Sequence, residues 1–313
     1  MGAALALAGR GIGRTAPNPN VGCILVRDGR VIGRGWTQPG GRPHAEAMAL
    51  AEAGESACGA TAYVTLEPCA HVSTRGPACT DLLIAAGVAH IVAAMGDPDP
   101  RTNGQGFDRV RAAGIAVTTG ICESEARAMI AGFLTRRAKE RPFVTLKLAT
   151  SLDGRIARPD GTSRWITGPQ ARAHTHLERS RHEAILVGRG TLQADSPRLD
   201  VRLPGLETRS PRRILLSRTS EPGWETISSP HAITHLAGVD RLMVEGGAQT
   251  ASAFLAADLV DRLLLYRAPI LIGEGRAALG DIGLAALADA HGRWRLRDSR
   301  MLGIDRMEVY ERA

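Results

Sequence analysis

Aromatic residues are scarce: three Tyr, four Phe and four Trp make up 4% of the 313 residues. That leaves little material for the stacking platforms on which many single-strand nucleic-acid binders lay their bases. Lysine is scarcer still. Only Lys139 and Lys147 stand among 39 basic residues, so the net charge of +7 rests on arginine. Such a bias follows genome composition as readily as binding, and basicity alone does not point to nucleic acid. No stretch reaches the roughly 18 to 20 apolar residues of a membrane helix, and the alanine-rich opening Met1–Ala8 has neither a basic leader nor a cleavage pattern. The expectation is a cytoplasmic protein with no membrane and no nucleic-acid partner. Five cysteines are too few, and odd in number, for a disulfide framework. No internal repeat or low-complexity tract stands out, and nowhere does Gly-x-Gly-x-x-Gly follow a strand, so the usual dinucleotide fingerprint is missing.

What is present is 44% hydrophobic residues and 36 glycines, enough chain for one large or two medium α/β domains and too apolar for disorder. Residues 21–26 and 31–36 flank Arg27-Asp28-Gly29-Arg30, whose Asp-Gly signals a hairpin. A helix over 44–53 closed by Gly54, a strand over 62–66, a helix over 80–86 and a strand over 89–94 follow. A helix near 107–113, a short strand over 115–117 and a charged helix over 123–140 complete the first half. Arg141-Pro142 breaks that helix, and the domain boundary is set there, giving domains 1–140 and 141–313. The second opens with a strand over 143–148, with further strands near 184–187, 213–217, 242–244, 263–266 and 307–310.

Two constellations carry chemistry. His44-Ala45-Glu46 opens a helix, Pro68-Cys69 follows a strand, and Cys79 comes ten residues later. One imidazole and two thiolates make a three-ligand zinc set with an open fourth position, the pattern of a catalytic site. Glu46 is left free to take a proton from the activated water and pass it to the ring nitrogen and the leaving amine. This order of residues matches the zinc deaminase signature, with nine residues between the cysteines instead of two. His71 is an alternative ligand, but the open position favours a substrate contact. Cys23 and Cys58 read as packing residues. The second constellation is Leu242-Met243-Val244-Glu245-Gly246-Gly247-Ala248-Gln249-Thr250, a buried strand running through two glycines into a helix, which aims unpaired N–H groups at a phosphate. Lys147 stands near a strand end, and Gly188 through Arg202 holds further glycine, aspartate and arginine.

Ala16-Pro17-Asn18-Pro19-Asn20-Val21-Gly22, His44-Ala45-Glu46 and the run from Glu67-Pro68-Cys69-Ala70-His71 through Gly76-Pro77-Ala78-Cys79 resemble the deaminase half of the bifunctional riboflavin-biosynthesis deaminase/reductases. The segments Lys147 to Arg155, Ser163 to Gly168, Gly188 to Leu199 and the Gly246–Thr250 turn resemble their reductase half, in the same order and over nearly the whole chain. The resemblance implies a cytidine-deaminase-like α/β/α domain followed by a dihydrofolate-reductase-like α/β domain. It implies one zinc ion in the first and NADPH in the second, and phosphorylated pyrimidines as substrates. Asn18 or Asn20, with the loop around His71 and Arg75, would hold the pyrimidine and its ribose phosphate. Ala149, Trp165, Thr191, Asp195, Ser217 and Gly246, Gly247, Ala248, Gln249 and Thr250 would lie near the cofactor. Ser163, Arg179, Leu199, Arg202 and Glu245 would line the reductase substrate, the arginines meeting its phosphate as forked donors, with Lys147 orienting the sugar. Arg164, Arg172 and Arg181 read as surface charges. Members of the family commonly associate through the reductase half. Between Ser217 and Leu242 this chain is short for the family, so a peripheral strand is lost there or the sheet edge is reorganised. The charge is also localised: eleven Arg against five acids between Arg164 and Arg218 account for +6 of the +7, which suits phosphorylated small molecules better than a polynucleotide.

Overall fold

The computed structural model describes residues 1–71 and 73–313, which fall into two compact units, Met1–Glu140 and Arg141–Ala313. In the first, α1 (Gly2–Ala8) precedes the hairpin β1 (Gly22–Arg27) and β2 (Arg30–Trp36), whose turn residues Asp28 and Gly29 both have positive φ, as a type I′ turn requires. Then come α2 (Ala45–Ala53), β3 (Thr61–Val64), α3 (Cys79–Ala85), β4 (His90–Ala93), α4 (Gln105–Ala112), β5 (Ala116–Thr118), α5 (Glu123–Met129) and α6 (Ala131–Lys139). The described strands pair in the order β2-β1-β3-β4-β5, antiparallel across the hairpin and parallel from β3 onward. The helix expected over 123–140 is two helices, broken at Ile130, which leaves the helical region at φ −102° and ψ 21°.

Helix α2 lies directly on the backbone of β2. A Cβ at Gly33 would fall 2.2 Å from the Ala49 carbonyl oxygen, and one at Gly35 only 1.9 Å from that of Ala45. Alternate positions on one face of the strand are therefore empty of side chains, and the helix start that carries His44 and Glu46 rests on them.

The second unit contains β6 (Phe143–Thr150), β7 (Arg155–Ala157), α7 (Pro169–Arg179), β8 (Ala184–Gly188), α8 (Arg189–Asp195), β9 (Arg212–Leu216), β10 (Glu225–Ile227), β11 (Arg241–Val244), α9 (Ala248–Ala256), β12 (Arg262–Arg267), β13 (Arg276–Ala277), β14 (Trp294–Leu302) and β15 (Asp305–Arg312). The described strands form a large sheet in the order β10-β9-β8-β11-β6-β12-β15-β14, and β13 pairs with β7 apart from it. Strands β10 through β12 of that order run parallel, and β15 and β14 close the edge antiparallel. Leu146, Leu186, Ile214, Leu242 and Phe254 are buried on one side, Ile185, Leu215, Met243, Tyr266 and Met307 on the other, as a sheet covered on both faces demands. The short segment before Leu242 has kept an edge strand: β10 is three residues long and pairs in parallel with β9.

Candidate functional site

The first site sits where α2, the end of β3 and the start of α3 converge. His44 is the N-cap of α2, in extended conformation, so its ring leaves the helix axis while Glu46 begins the first turn. Cys79 opens α3, and its backbone N–H donates to Cys69 Sγ at 3.3 Å. His44 Nδ1 lies 3.3 Å from Cys79 Sγ and 3.6 Å from Cys69 Sγ. Ligands at about 2.0 to 2.3 Å from a tetrahedral zinc stand about 3.5 Å apart, so the spacing fits that ion without rearrangement. Among the described residues, these three are the cluster of His, Cys, Asp and Glu side chains that could hold a metal. The Cys69 thiol is held well below its ordinary range, first by the hydrogen bond from Cys79, which makes it the readier thiolate of the pair. Glu46 is buried, and that burial is the main reason its carboxyl is pushed up, so it holds a proton more readily than an ordinary glutamate.

The cavity that includes His44, Glu46 and Cys69 is lined further by Asn18, Glu67, His71, Asp97, Asp99, Arg101, Phe133 and Arg137. The Asn18 amide nitrogen lies 3.0 Å from His44 Nε2 and donates to the Gly41 carbonyl at 2.9 Å. Asn20, its alternative as a substrate contact, is not in the lining. It is buried and its amide donates to the carbonyls of Ala8 and Met129, tying α1 to the end of α5. His71 reaches Thr102 Oγ1 at 3.4 Å. Arg75 does not line this cavity. Its guanidinium donates to the Gly40 carbonyl at 2.6 Å beside Arg42 in a second, more apolar cavity behind His44 and Cys79. Val72, within the spacer between the cysteines, lies outside the described residues. Cys23 is buried in the core as expected, but Cys58 is exposed, because the turn before β3 carries it to the surface beside Gly87.

Glu67 and the Asp97–Arg101 segment also line this cavity, although nothing in the zinc signature marks them as site residues. Glu67 is buried and accepts four backbone N–H bonds, from Asp97 and Gly104 at Oε2 and from Gly106 and Phe107 at Oε1, between 2.9 and 3.2 Å. Its position directly before Pro68-Cys69 was the available signal. Asp97-Pro98-Asp99-Pro100 reads locally as a turn, yet it delivers two acids to the cavity. Burial pushes Asp97 up to about 6, whereas the Arg101 hydrogen bond holds Asp99 far below the usual carboxylate range.

The second site forms at the carboxyl ends of β9, β8, β11 and β6, four adjacent parallel strands, where α/β sheets bind ligands. Gly188, Ser217 and the Gly246–Gly247 turn lie there, with α8 and α9 starting from it. A Cβ at Gly190 would meet nothing within 4 Å, and one at Gly247 only Thr191 Oγ1 at 3.7 Å, so two helix starts present open backbone to a ligand. Thr191 Oγ1 accepts the Gly247 N–H at 3.1 Å, and Ser217 Oγ accepts from Arg189 Nε at 2.8 Å. Thr250 fills the space above Gly188 and Gly246. Trp165 is 65% exposed, with Arg172 at 4.8 Å and Arg164 at 5.8 Å from its ring centroid, so these two arginines brace an open aromatic face. Arg164 also reaches Asp195 at 3.8 Å. Ala149 is half-buried on β6.

Beside this edge the structure joins Lys147, Arg179 and Glu245. Arg179 grips the Glu245 carboxylate with Nε at 2.7 Å and Nη2 at 2.9 Å, and Lys147 Nζ stands 3.7 Å away. Despite its burial, Glu245 is held down at about 2 by these cations. The expectation that Arg179 meets a phosphate with its fork is thus corrected: the fork is taken by Glu245, since a buried carboxylate must be paired, and Nη1 donates to the Asp200 carbonyl. Arg202 remains half-exposed, 3.3 Å from His176 Nε2 and 3.7 Å from Asp200 Oδ1. Leu199 buries its side chain and holds its backbone at φ 57°, so any ligand contact there comes from the main chain. Ser163 is partly exposed in the loop before Trp165, and Arg181 pairs with Glu178 at 2.8 Å.

Comparison with known proteins gives a consistent picture. Residues 1–95 match the cytidine and deoxycytidylate deaminase zinc-binding region, and residues 142–228 and 230–306 match the RibD C-terminal domain. The riboflavin biosynthesis protein RibD of Escherichia coli is 41% identical over 97% of this chain and 96% of its own, and that of Aquifex aeolicus 37% over 92% and 90%. Among solved structures, Acinetobacter baumannii RibD superposes with a TM-score of 0.89 at 35% identity, covering 100% of this chain and 97% of its own. A diaminohydroxyphosphoribosylaminopyrimidine deaminase/5-amino-6-(5-phosphoribosylamino)uracil reductase of Thermotoga maritima gives 0.88 at 32% identity with the same coverage.

Proposed function

The chain belongs to the RibD family of bifunctional riboflavin-biosynthesis deaminase/reductases, and from that premise we propose how its own residues divide the two reactions. It is a zinc-dependent deaminase and an NADPH-dependent reductase in one chain. The deaminase unit, residues 1–140, acts on 2,5-diamino-6-ribosylamino-4(3H)-pyrimidinone 5′-phosphate. The reductase unit, residues 141–313, then converts the ribosyl side chain to ribityl.

His44, Cys69 and Cys79 hold the zinc; their mutual spacing is the single observation that carries the deaminase reading. Zinc held there supplies Lewis acidity that brings water within reach of deprotonation near neutral pH. Glu46 takes that proton and delivers it to the ring nitrogen, then carries the second proton of the added water to the departing amine, a shuttle that its raised pKa suits. Asn18 and His71 hold the pyrimidine from the cavity wall.

In the reductase unit NADPH supplies the hydride, and the protein's task is placement. The turn Gly246–Thr250 and the start of α8 receive the cofactor's phosphates, with Ala149, Trp165, Thr191, Asp195 and Ser217 around it. Lys147, set by Glu245, orients the sugar, and the half-exposed Arg202 is the cation left for the substrate phosphate; Ser163 and the Leu199 backbone complete the wall.

The enzyme is cytoplasmic, binds no nucleic acid and works as a homo-oligomer through its reductase unit. No helix among the described residues is long and apolar enough to cross a membrane. The edge hairpin of β14 and β15 exposes Leu296, Met301 and Ile304, which supports self-association there; sedimentation of L296E/I304E against the native chain tests it. A coupled assay tests the whole reading. Ammonia is released from the phosphorylated diaminopyrimidine, then NADPH is consumed, and deamination with no NADPH loss would reduce the chain to a deaminase.

A further inference from the structure

The deaminase cavity is lined by two cations that the catalytic cluster does not use. Arg101 follows the Asp97-Pro98-Asp99-Pro100 turn, and Arg137 projects from α6, 36 residues later; both line the cavity. They meet on Asp99. Arg101 bonds it through Nε to Oδ1 at 3.0 Å and Nη2 to Oδ2 at 2.6 Å, and Arg137 Nη2 lies 3.0 Å from Oδ2. Arg101 alone engages both oxygens of Asp99, so Arg137, which meets Asp99 at Nη2, retains guanidinium donors for a further anion. The depth profile points the same way: the Asp99 side chain is 6% exposed, while those of Arg101 and Arg137 are 58% and 43% exposed. The acid is the anchor and the guanidiniums face outward. Arg137 is further steadied over the ring of Phe133, 5.3 Å from its centroid, and Phe133 lines the same cavity. Asp97 Oδ1 accepts the Asp99 N–H at 2.9 Å, which fixes the backbone that carries the anchoring acid.

Arg75, the basic residue of the spacer between the zinc cysteines, is bonded to Gly40 and lines the other cavity. We infer that Arg101 and Arg137, set in register by Asp99, are the phosphate-recognition pair of the deaminase unit and make it select phosphorylated over unphosphorylated pyrimidine ribosides. The inference rests on the deaminase function proposed above. Asp99 occupies the Nε–Nη2 edge of Arg101 and leaves Nη1 to a ligand, while Arg137, which meets Asp99 at Nη2, keeps further guanidinium donors; side chains already fixed in this way lose little freedom on binding a dianionic phosphate.

The test uses the full, zinc-loaded chain and measures ammonia release from the phosphorylated diaminopyrimidine riboside and from the same compound after phosphatase treatment. In the native enzyme kcat/KM favours the phosphate ester. In R137M and R101Q the ratio between the two substrates falls at least tenfold each, through KM of the ester. Each single variant leaves Asp99 one guanidinium partner, so folding is not put at stake, and a matching thermal melt verifies it. Equal losses on both substrates overturn the inference, as does a ratio that collapses in R75Q and survives in R101Q and R137M. If the native chain releases ammonia from neither substrate, it is the deaminase reading itself that has failed.

Discussion

The Gly106 amide donates to Glu67 Oε1 at 2.9 Å, and a side chain on Gly106 could not exist there: its Cβ would fall 2.2 Å from the Pro68 carbonyl oxygen. Helix α4 is thereby pressed against the strand end that carries Cys69, and one buried carboxylate collects the N–H groups of the loop arriving from β4. In E67Q the amide keeps one acceptor and turns a donor toward N–H groups. Leaving buried donors unmet costs about 1–3 kcal/mol. The expected outcome is a lower melting temperature for the deaminase unit and a raised KM for its substrate, because Asp97 and Asp99 ride on that loop. Zinc content should be retained, which elemental analysis would check.

Glu46 is in contact with the cluster but is not needed to hold the ion. E46Q should therefore bind zinc in full while deamination falls by roughly 10²–10⁴, measured as ammonia release. NADPH oxidation on deaminated substrate should continue at the native rate. A fall in both activities would mean that Glu46 supports the fold and not the chemistry.

Cys79 is different, since it opens α3 and supplies a thiolate. C79S should lose most of its zinc and all measurable deaminase activity, and dialysis of the native chain against a strong chelator should have the same effect, reversed by added zinc. Reductase activity provides the internal control in both experiments.

At the second site a Cβ on Gly246 would lie 2.4 Å from Thr250 Cβ. G246A must push the start of α9 outward, an overpacking worth about 1–3 kcal/mol. The KM for NADPH should rise about tenfold or more by the same measure, and ammonia release should be untouched.

Acid should weaken the reductase unit through His182. The ring is buried, with Nδ1 2.7 Å from the Glu178 carbonyl and Nε2 3.1 Å from Thr145 Oγ1, and burial lowers its pKa from 6.5 to about 4. Between those values the unfolded chain takes up a proton that the folded chain refuses. The contribution is full above pH 6.5 and is lost as pH falls toward 4, by roughly 3 kcal/mol across the window. Urea midpoints followed by tryptophan fluorescence at pH 7, 5.5 and 4.5 should trace that decline. H182Q should flatten it, and an unchanged slope in the variant would assign the acid lability to other groups.

What could be read in advance followed from chemistry that leaves no choice of residue. A tight hairpin needs positive φ at two positions and so writes Asp28-Gly29; a catalytic zinc needs His and Cys and so writes His44, Cys69 and Cys79. The break between α5 and α6 carries no proline or cap and is set by packing, since Ile130 turns its side chain into the core. Strand β14 escaped because its side chains are mostly exposed on both faces, which removes the alternation that marks a half-buried strand; its pairing with β15 holds it instead. Lys147, Arg179 and Glu245 were each named through family resemblance, but that the Arg179 fork would close on Glu245 is a fact of three dimensions. The same holds for Arg101 and Arg137, which nothing local in the chain connects.

Beneath the first site, the two bare positions of β2 have a meaning beyond close packing. A helix that rests on side chains can settle by a few tenths of an ångström when one of them changes; a helix that rests on main chain has nothing compressible under it. Gly33 and Gly35 work as a fixed shim that sets the height of His44 and Glu46 above the cysteines. In a saturation-mutagenesis screen for riboflavin prototrophy, these two positions should be as intolerant as the metal ligands, although neither glycine lines the deaminase cavity.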